Sequence, residues 1–537
     1  MNVATKNMQI KKFSKVVEQP AENRIVSKMY QTHKYWARKP WYVVSEYIKF
    51  FTKPGDTVLD VFAGSGVTGI ESIVLDRKAY IVDLNPIATF ISRMTALSPV
   101  EINKILGAFE QIKKQCKDKI NELYQTQREC EICPHFLLGR YFLRGPKFKN
   151  ILVKERCIYC GYTKNDSRPL ADSELEDLEK LERKRVGFWY PKVRFPIKFD
   201  KDRITYKDIR SVHKLFTKRN LFALSLLFHE IKKIKDKTSK ELLKLAFSNT
   251  LLHVSKLKSE NVRPMAVNNY WVPDDWIEEN VWFRFEDRFK RILQAKKVSN
   301  NRIKENQLKN LHIYTKSATN LNFLDDDSID YCFNDPPYGD SIQYSELSIV
   351  WNAWLDKEFL PEEEVIINRS QGKSVNDYKN LLTSAYKEVF RVLKPDGYMT
   401  VCFHNKDFSV WSAMLRACKG AGFLYINAVP QKPISKSFTQ LWARNSPKTD
   451  LFINFIKPGR SKIKVKTTDL TDISLDQLLK EAVNYINRNH KPVKARLVYD
   501  LILSKLIEVE FYNESSIDYD KYSIKKIRNL LQRYATK

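Results

Sequence analysis

Two short segments carry side chains in a chemically informative order. Asn334-Asp335-Pro336-Pro337-Tyr338 follows the apolar run Ser328 to Phe333, and Asp60-Val61-Phe62-Ala63-Gly64-Ser65-Gly66 closes the run Thr57 to Val61. In the first, a carboxylate and a proline carbonyl sit beside prolines whose rings fix φ, so both acceptors are held in one direction. Such a pair can accept the two hydrogens of an exocyclic amino group. The lone pair of that nitrogen is otherwise delocalised into its ring, and the acceptors favour a more tetrahedral, more nucleophilic nitrogen. Tyr338 adds a flat face for a base taken out of its stack. Alignment would supply much of the acceleration. Asp335 could take the released proton, and no dedicated general base is needed. The bland alternative is a strand-end turn containing two prolines.

Gly64-Ser65-Gly66-Val67-Thr68-Gly69 matches G-x-G-x-x-G, and Asp83 ends the next apolar run. Glycines let a backbone pass close to a ligand, and a carboxylate after the second strand binds ribose hydroxyls. Both features serve NAD and S-adenosylmethionine alike. No Gly-Lys-Ser/Thr follows, so this is not a P-loop. Asp60 favours the methyl donor, because a carboxylate there can face the methionine ammonium. An NAD enzyme would leave Asp335 to Tyr338 without a task.

Cys130-x-x-Cys133 and Cys157-x-x-Cys160 are two knuckles separated by residues 134–156. Four thiolates so arranged suit a closed, structural zinc site; a redox pair is the weaker alternative. Cys116, Cys332, Cys402 and Cys418 read as ordinary thiols.

The elements that must position these groups are read from periodicity. Trp41 to Phe51 is an amphipathic helix, Pro54-Gly55-Asp56 a turn, Gly66 to Leu75 a helix, and Ala79 to Asp83 a strand. Leu84-Asn85-Pro86 opens another helix. Strands alternating with helices predict a parallel α/β sheet. The alternation breaks after residue 100 and resumes at Leu311 to Tyr314. Strand 328–333, helix Tyr378 to Leu393, strand 398–403, helix Ser409 to Lys419, and strands near 424–429 and 451–456 follow, the last two as an antiparallel hairpin. The predicted fold is a Rossmann-like α/β sheet interrupted by a zinc-ribbon plus helical insertion. Its divisions are a polar, loosely ordered arm at 1–30, catalytic parts at 31–100 and 301–459, a zinc ribbon at 101–200, a helical segment at 201–300 for target recognition, and a charged helical tail at 460–537.

The chain has 537 residues, 43% hydrophobic, with a formal net charge of +29, which points to a polyanionic partner. The N-terminus has no apolar signal region and no segment reaches the length of a membrane span, so a cytoplasmic protein without a membrane partner is expected.

In these segments the chain resembles the DNA amino-methyltransferases, and with its cysteine pairs the adenine-specific methylases that contain a zinc-ribbon domain. His33-Lys34-Tyr35-Trp36-Ala37-Arg38-Lys39-Pro40 resembles their cofactor-side motif, Asp83-Leu84-Asn85-Pro86 their ribose-binding strand end, and Phe390 to Gly397 the helix and turn before their fifth strand. The resemblance covers residues 30–100 and 310–457 well and the middle loosely. It implies S-adenosylmethionine held by Lys39, Pro40, Asp60, Phe62, Gly64, Ser65, Gly66 and Asp83. It also implies a flipped target base in double-stranded DNA, met by Asn334, Asp335, Pro336 and Tyr338. Aspartate before Pro-Pro-Tyr favours adenine N6 over cytosine N4. An acid often follows the third strand in such enzymes; here Lys316-Ser317-Ala318 stands there, so Ser317 or a neighbour must serve. His404 and Asn405 are candidates for the base pocket or for a capped strand end. RNA is an alternative substrate, and a zinc-containing DNA-binding subunit without turnover is the alternative from another class. A restriction or defence protein is the partner the family implies.

The insertion should leave the sheet edge and read DNA. It holds Arg183-Lys184-Arg185, Phe188-Trp189-Tyr190 and a basic run at Lys232, Lys233 and Lys235. Removing those three charges is expected to flatten the salt dependence of DNA binding.

Overall fold

The computed structural model describes residues 10–145, 150–195, 209–265, 270–405, 407–431, 450–459, 475–488 and 495–512. Its strands in chain order are β1 (Thr57–Asp60), β2 (Lys78–Asp83), β3 (Gln125–Glu129), β4 (Phe136–Arg144), β5 (Leu152–Arg156), β6 (Arg168–Pro169), β7 (Trp276–Glu279), β8 (Leu311–Thr315), β9 (Ile329–Asn334), β10 (Leu393–Phe403), β11 (Leu424–Gln431) and β12 (Asp450–Ile456). Seven form one sheet, ordered β11-β12-β10-β9-β1-β2-β8. Its pairs are parallel from β8 through β10, while β12 runs antiparallel to both its neighbours.

This order fixes where a ligand can sit. From β1 the chain moves outward to β2 and β8, then returns to β9 on the other side of β1. The carboxyl ends of β1 and β9 therefore part at a topological switch point, where open parallel sheets form a crevice. Asp60 ends β1, Asp83 ends β2 and Asp335 follows β9, so the three acids emerge on one edge.

The sheet is dry on both faces. Helices Val375–Val392 and Phe408–Ala421 pack on one side with Leu59, Val82, Cys332, Met399 and Val401. Helix Trp41–Phe51 packs on the other with Val58, Tyr331, Phe333 and Cys402. Near-continuous apolar strands are what burial on both faces requires.

The N-terminal expectation needs correction. From residue 10 onward the arm is packed: Phe13, Val17, Val26 and Met29 are buried, and Asn23–Tyr30 is a helix. Asn427 and Gln431 of β11 donate to the Phe13 and Lys15 carbonyls, and Gln431 accepts from the Val17 amide. The tail is helical in its described stretches and partly buried. Helices Leu475–Arg488 and Ala495–Tyr512 bury Leu478, Val498, Ile502 and Leu506 in the core beneath Phe408–Ala421. Residues 432–449 of the expected hairpin lie outside the described residues, although β11 and β12 pair as expected.

The insertion builds a second, five-stranded sheet, β3-β4-β5-β6 with β7 on β4. Because β7 comes from the helical segment, ribbon and helices are woven together. Helices Ile102–Glu122, Lys218–Lys233, Lys237–Leu251 and Val281–Arg302 share an apolar core with Ile87 and Phe90 of helix Pro86–Ala96 and with Trp351 and Trp354 of helix Tyr344–Trp354. The insertion is thus seated on the catalytic sheet's own helices. No helix among the described residues is long and apolar enough to cross a membrane.

Candidate active site and metal centre

A cavity opens at the switch point and is lined by Tyr35, Arg38, Lys39, Asp60, Asp83 and Asp335, among others. The glycine loop forms its floor. Gly66 adopts φ +80°, and a Cβ there would stand 2.6 Å from the Ser92 hydroxyl oxygen, so the turn admits only glycine without a shift. Asp83 locks the loop: its two carboxylate oxygens accept from the Gly64 amide at 2.7 Å and the Asn85 amide at 2.8 Å. Asp60 accepts from the Phe62 amide at 3.0 Å. Burial pushes the carboxyls of Asp60 and Asp83 up to about 7.

Asp335 stands at the opposite wall. Its Oδ1 accepts from the Tyr338 hydroxyl at 2.7 Å, and its Oδ2 lies 3.1 Å from Lys39 Nζ. Burial raises the Asp335 carboxyl above its ordinary range, and Lys39 opposes that rise. Lys39 is itself held in three ways, by Asp335, by Asp450 Oδ2 at 3.6 Å and by the Ala37 carbonyl at 3.0 Å. Ala37 sits at φ +54°, an unusual backbone for alanine, and it directs its carbonyl to the lysine.

The Pro-Pro-Tyr turn leaves one carbonyl unused. The Pro337 carbonyl accepts from the Tyr378 hydroxyl at 2.7 Å, and the Tyr338 carbonyl from Asn405 Nδ2 at 3.0 Å. The Pro336 carbonyl has no such partner among the described residues. At this turn Asp335 and Pro337 line the cavity, while Pro336 and Tyr338 stand behind that wall, Tyr338 reaching it through its hydroxyl on Asp335.

Not every expected residue reaches the cavity. Asn334 is fully buried and joins strand ends, accepting from the Val61 amide at 3.2 Å while its amide meets Cys332. Pro40 precedes helix Trp41–Phe51 and is not in the wall, whereas Lys39 turns to Asp335. Ser65 accepts from Arg38 Nε at 2.9 Å, tying the His33-to-Pro40 segment to the glycine loop. Ala318, not Ser317, lines the cavity after β8. His404 faces Asp450 at 3.8 Å, and Asn405 supports the Tyr338 backbone. Tyr338 meets Phe403 edge-on at 5.2 Å, with Lys39 Nζ 5.1 Å from its ring centre.

Sequence reading missed Tyr344, Phe359, Glu363 and Glu364, which close the cavity from the segment after Asp335. Glu364 is buried, accepts from the Ser345 amide at 2.9 Å, and is pushed up to about 7 by burial. No local motif marks them; only the fold returns them to the edge. Asp60, Asp83, Asp335, Glu363 and Glu364 face two cations, Arg38 and Lys39, so the wall is acidic in balance. That suits a cationic ligand and opposes a pyrophosphate.

The four cysteines of the insertion come together. The sulfurs of Cys130, Cys133, Cys157 and Cys160 all lie within 4.8 Å of one another, with Cys130–Cys160 at 3.5 Å and Cys133–Cys157 at 3.4 Å. A tetrahedral zinc with bonds of about 2.3 Å needs sulfurs about 3.8 Å apart, so the donor set fits. The basic run does not stand bare: Lys233 pairs with Glu230 at 2.7 Å, and Lys232 Nζ lies 5.0 Å from the exposed Trp189 ring.

The N6_N4_Mtase family, described as a DNA methylase, matches residues 4–92. The matched segment contains β1, the glycine loop and Asp83, and ends before Asp335. The match supports an amino-methyltransferase family for this chain, and the four-cysteine cluster supports its zinc ribbon. No curated protein matches the chain.

Proposed function

We propose that this chain transfers a methyl group from S-adenosylmethionine to the exocyclic amino group of a base in double-stranded DNA, adenine N6 foremost. The observation that carries the reading is that Asp335 shares one cavity with Asp60 and Asp83 at the sheet's switch point. The strand order supports the Rossmann-like arrangement expected of such a transferase.

The residues fit the cofactor by charge and shape. Gly64 lets backbone approach it while Gly66 lets the loop close on Ser92, Asp83 faces its ribose side, and the acid-rich wall favours a cation over a dinucleotide. When bound, S-adenosylmethionine would supply an electrophilic methyl on a positively charged sulfur. Asp335 and the Pro336 carbonyl accept the hydrogens of the target amino group. Each carboxylate oxygen keeps a second lone pair beside Tyr338 and Lys39, so Asp335 still has acceptor capacity. Tyr338 holds Asp335 in place through its hydroxyl and would offer its ring to a base seated beside that carboxylate. Zinc on the four thiolates would cross-link the ribbon and take no part in the chemistry.

Labelled S-adenosylmethionine and unmethylated genomic DNA test the reading, beside an Asp335→Ala control, with the product nucleoside identified. N6-methyladenine lost in the control supports it. N4-methylcytosine keeps the mechanism and changes the base. Cofactor binding without DNA product, followed by product on RNA, would move the substrate class; no product on either would favour a binding subunit.

A further inference from the structure

The insertion holds a second, open cleft that shares no lining residue with the first. It lies where helix Lys218–Lys233 begins. Its wall gathers Lys214, Lys218 and Lys256 with His213 and the rings of Tyr190 and Trp276. One acid, Glu182, shares the wall. None of the three lysines is ion-paired among the described residues, although Lys256 is half-buried. His213 Nδ1 is buried without a partner.

The rings and cations are interleaved. Lys256 Nζ and the Arg144 guanidinium lie 5.7 Å and 5.5 Å from the Trp276 ring centre. Tyr190 lies 5.7 Å from the His213 ring, with Lys192 Nζ 5.8 Å from Tyr190. Arg144 is paired with Glu278 at 2.7 Å, but Lys218 and Lys256 are partly desolvated cations that form no ion pair among the described residues, with Glu182 the one acid beside them in the wall, and that is costly. The positive end of a sixteen-residue helix adds to their charge. An anion relieves that cost. An inorganic anion alone would give the indole and phenol nothing to do, whereas a base can stack on them.

We propose that this cleft binds a nucleotide, with its phosphate on Lys214, Lys218 and Lys256 and its base against Trp276 or Tyr190. A nucleotide of a nucleic-acid strand crossing the insertion and a free mononucleotide present the same chemistry. The cleft lies outside the catalytic cavity, so the proposal does not depend on the transfer reaction.

The test uses the full chain. Fluorescent duplex and single-stranded oligonucleotides are titrated at two or more salt concentrations, and AMP binding is followed by ligand-observed NMR. The variants are Lys214→Gln with Lys256→Gln, Trp276→Leu, and the single change Lys214→Glu. The double lysine variant should weaken the bound form roughly tenfold and flatten the salt slope by about one to two. Trp276→Leu should weaken it without changing the slope. Loss of AMP binding identifies a free nucleotide, and loss of oligonucleotide binding alone identifies a strand. Lys214 is exposed, so Lys214→Glu keeps the test decisive if the buried changes disturb folding. Wild-type affinity and slope in Lys214→Glu, or no binding of either probe to the unaltered chain, overturns the proposal. S-adenosylmethionine binding, measured on the same samples, reports the first cavity separately.

Discussion

Lys39 and Asp335 form a nearly dry ion pair: the ammonium nitrogen stands 3.1 Å from Oδ2, with 7% and 18% of the two side chains exposed. The pair joins the segment before the first catalytic helix to the loop after β9. It also keeps an acceptor charged where burial works against the charge. Lys39→Met removes that support. The Asp335 carboxyl then rises further, and the acid limb of the pH–rate profile should move to higher pH. At neutral pH the rate should fall about tenfold or more, recovering in part toward pH 9, since one pKa unit is a factor of ten in the charged form. Lys39→Arg should restore the limb. An unshifted profile in Lys39→Met would remove Asp335 from its acceptor role. Breaking so buried a pair should also cost about 3–5 kcal/mol of stability.

The cavity's other carboxyls make ligand affinity depend on pH. Asp60, Asp83 and Glu364 are each pushed to about 7 by burial. A folded pKa above the unfolded one means the native state holds protons that the unfolded chain has released between about pH 4 and 7. Stability of the unliganded protein should therefore fall as pH rises through that window. A cationic ligand has the opposite dependence, because it binds the ionised wall. Titration calorimetry with S-adenosylmethionine at pH 6 and pH 8, in buffers of different ionisation enthalpy, should show several-fold tighter binding at pH 8 with proton release. Equal affinity and no released proton would mean that these acids do not face the cofactor.

The strands of the catalytic sheet were legible because strands buried on both faces read as apolar runs, and each ended in a polar residue with work to do. Asp60, Asp83 and Asp335 were found this way, and the knuckle spacing alone brought the four cysteines together. Asp450 and Glu364 were not legible. Neither belongs to a local pattern, and each reaches the site only through sheet order: Asp450 because β12 returns beside β10, Glu364 because the chain after helix Tyr344–Trp354 folds back over the cavity. Phe13 and Val17 were missed for a related reason. Isolated apolar residues in a polar stretch show no period, and only β11 reveals what they pack beside.

Cysteine chemistry gives a prediction confined to the insertion. The sulfur of Cys133 lies 3.4 Å from that of Cys157, and both knuckles are needed to complete the four-sulfur set. The purified chain should carry one zinc per molecule by elemental analysis. Cys133→Ser should lose it, with release detected by a chromogenic chelator, and should expose the ribbon to proteolysis between β3 and β5. S-adenosylmethionine binding should persist, because none of the four cysteines lines the catalytic cavity. Full zinc content in the variant would show that the metal sits elsewhere.

Lys296 offers a stability test that also reaches the cofactor side. It is fully buried in helix Val281–Arg302, and its ammonium donates to the carbonyls of Met94 at 2.7 Å, Thr95 at 3.0 Å and Leu97 at 2.8 Å. These carbonyls end helix Pro86–Ala96, where backbone acceptors lack helical partners and a cation is favoured. The opposite end of that helix is capped by Asn85, which lines the cavity. Burial lowers the Lys296 pKa to about 7. Its unfolded value is near 10.4, so between about pH 7 and 10 the unfolded chain holds the extra proton and stability should rise with pH. Lys296→Met leaves three buried carbonyls without their donor and should cost at least about 2 kcal/mol. It should also flatten the pH dependence of stability across that window. Denaturant unfolding at pH 7, 8.5 and 10 reads both effects. A variant as stable as the original at pH 7, with the same slope, would show that the insertion does not pin this helix end through Lys296.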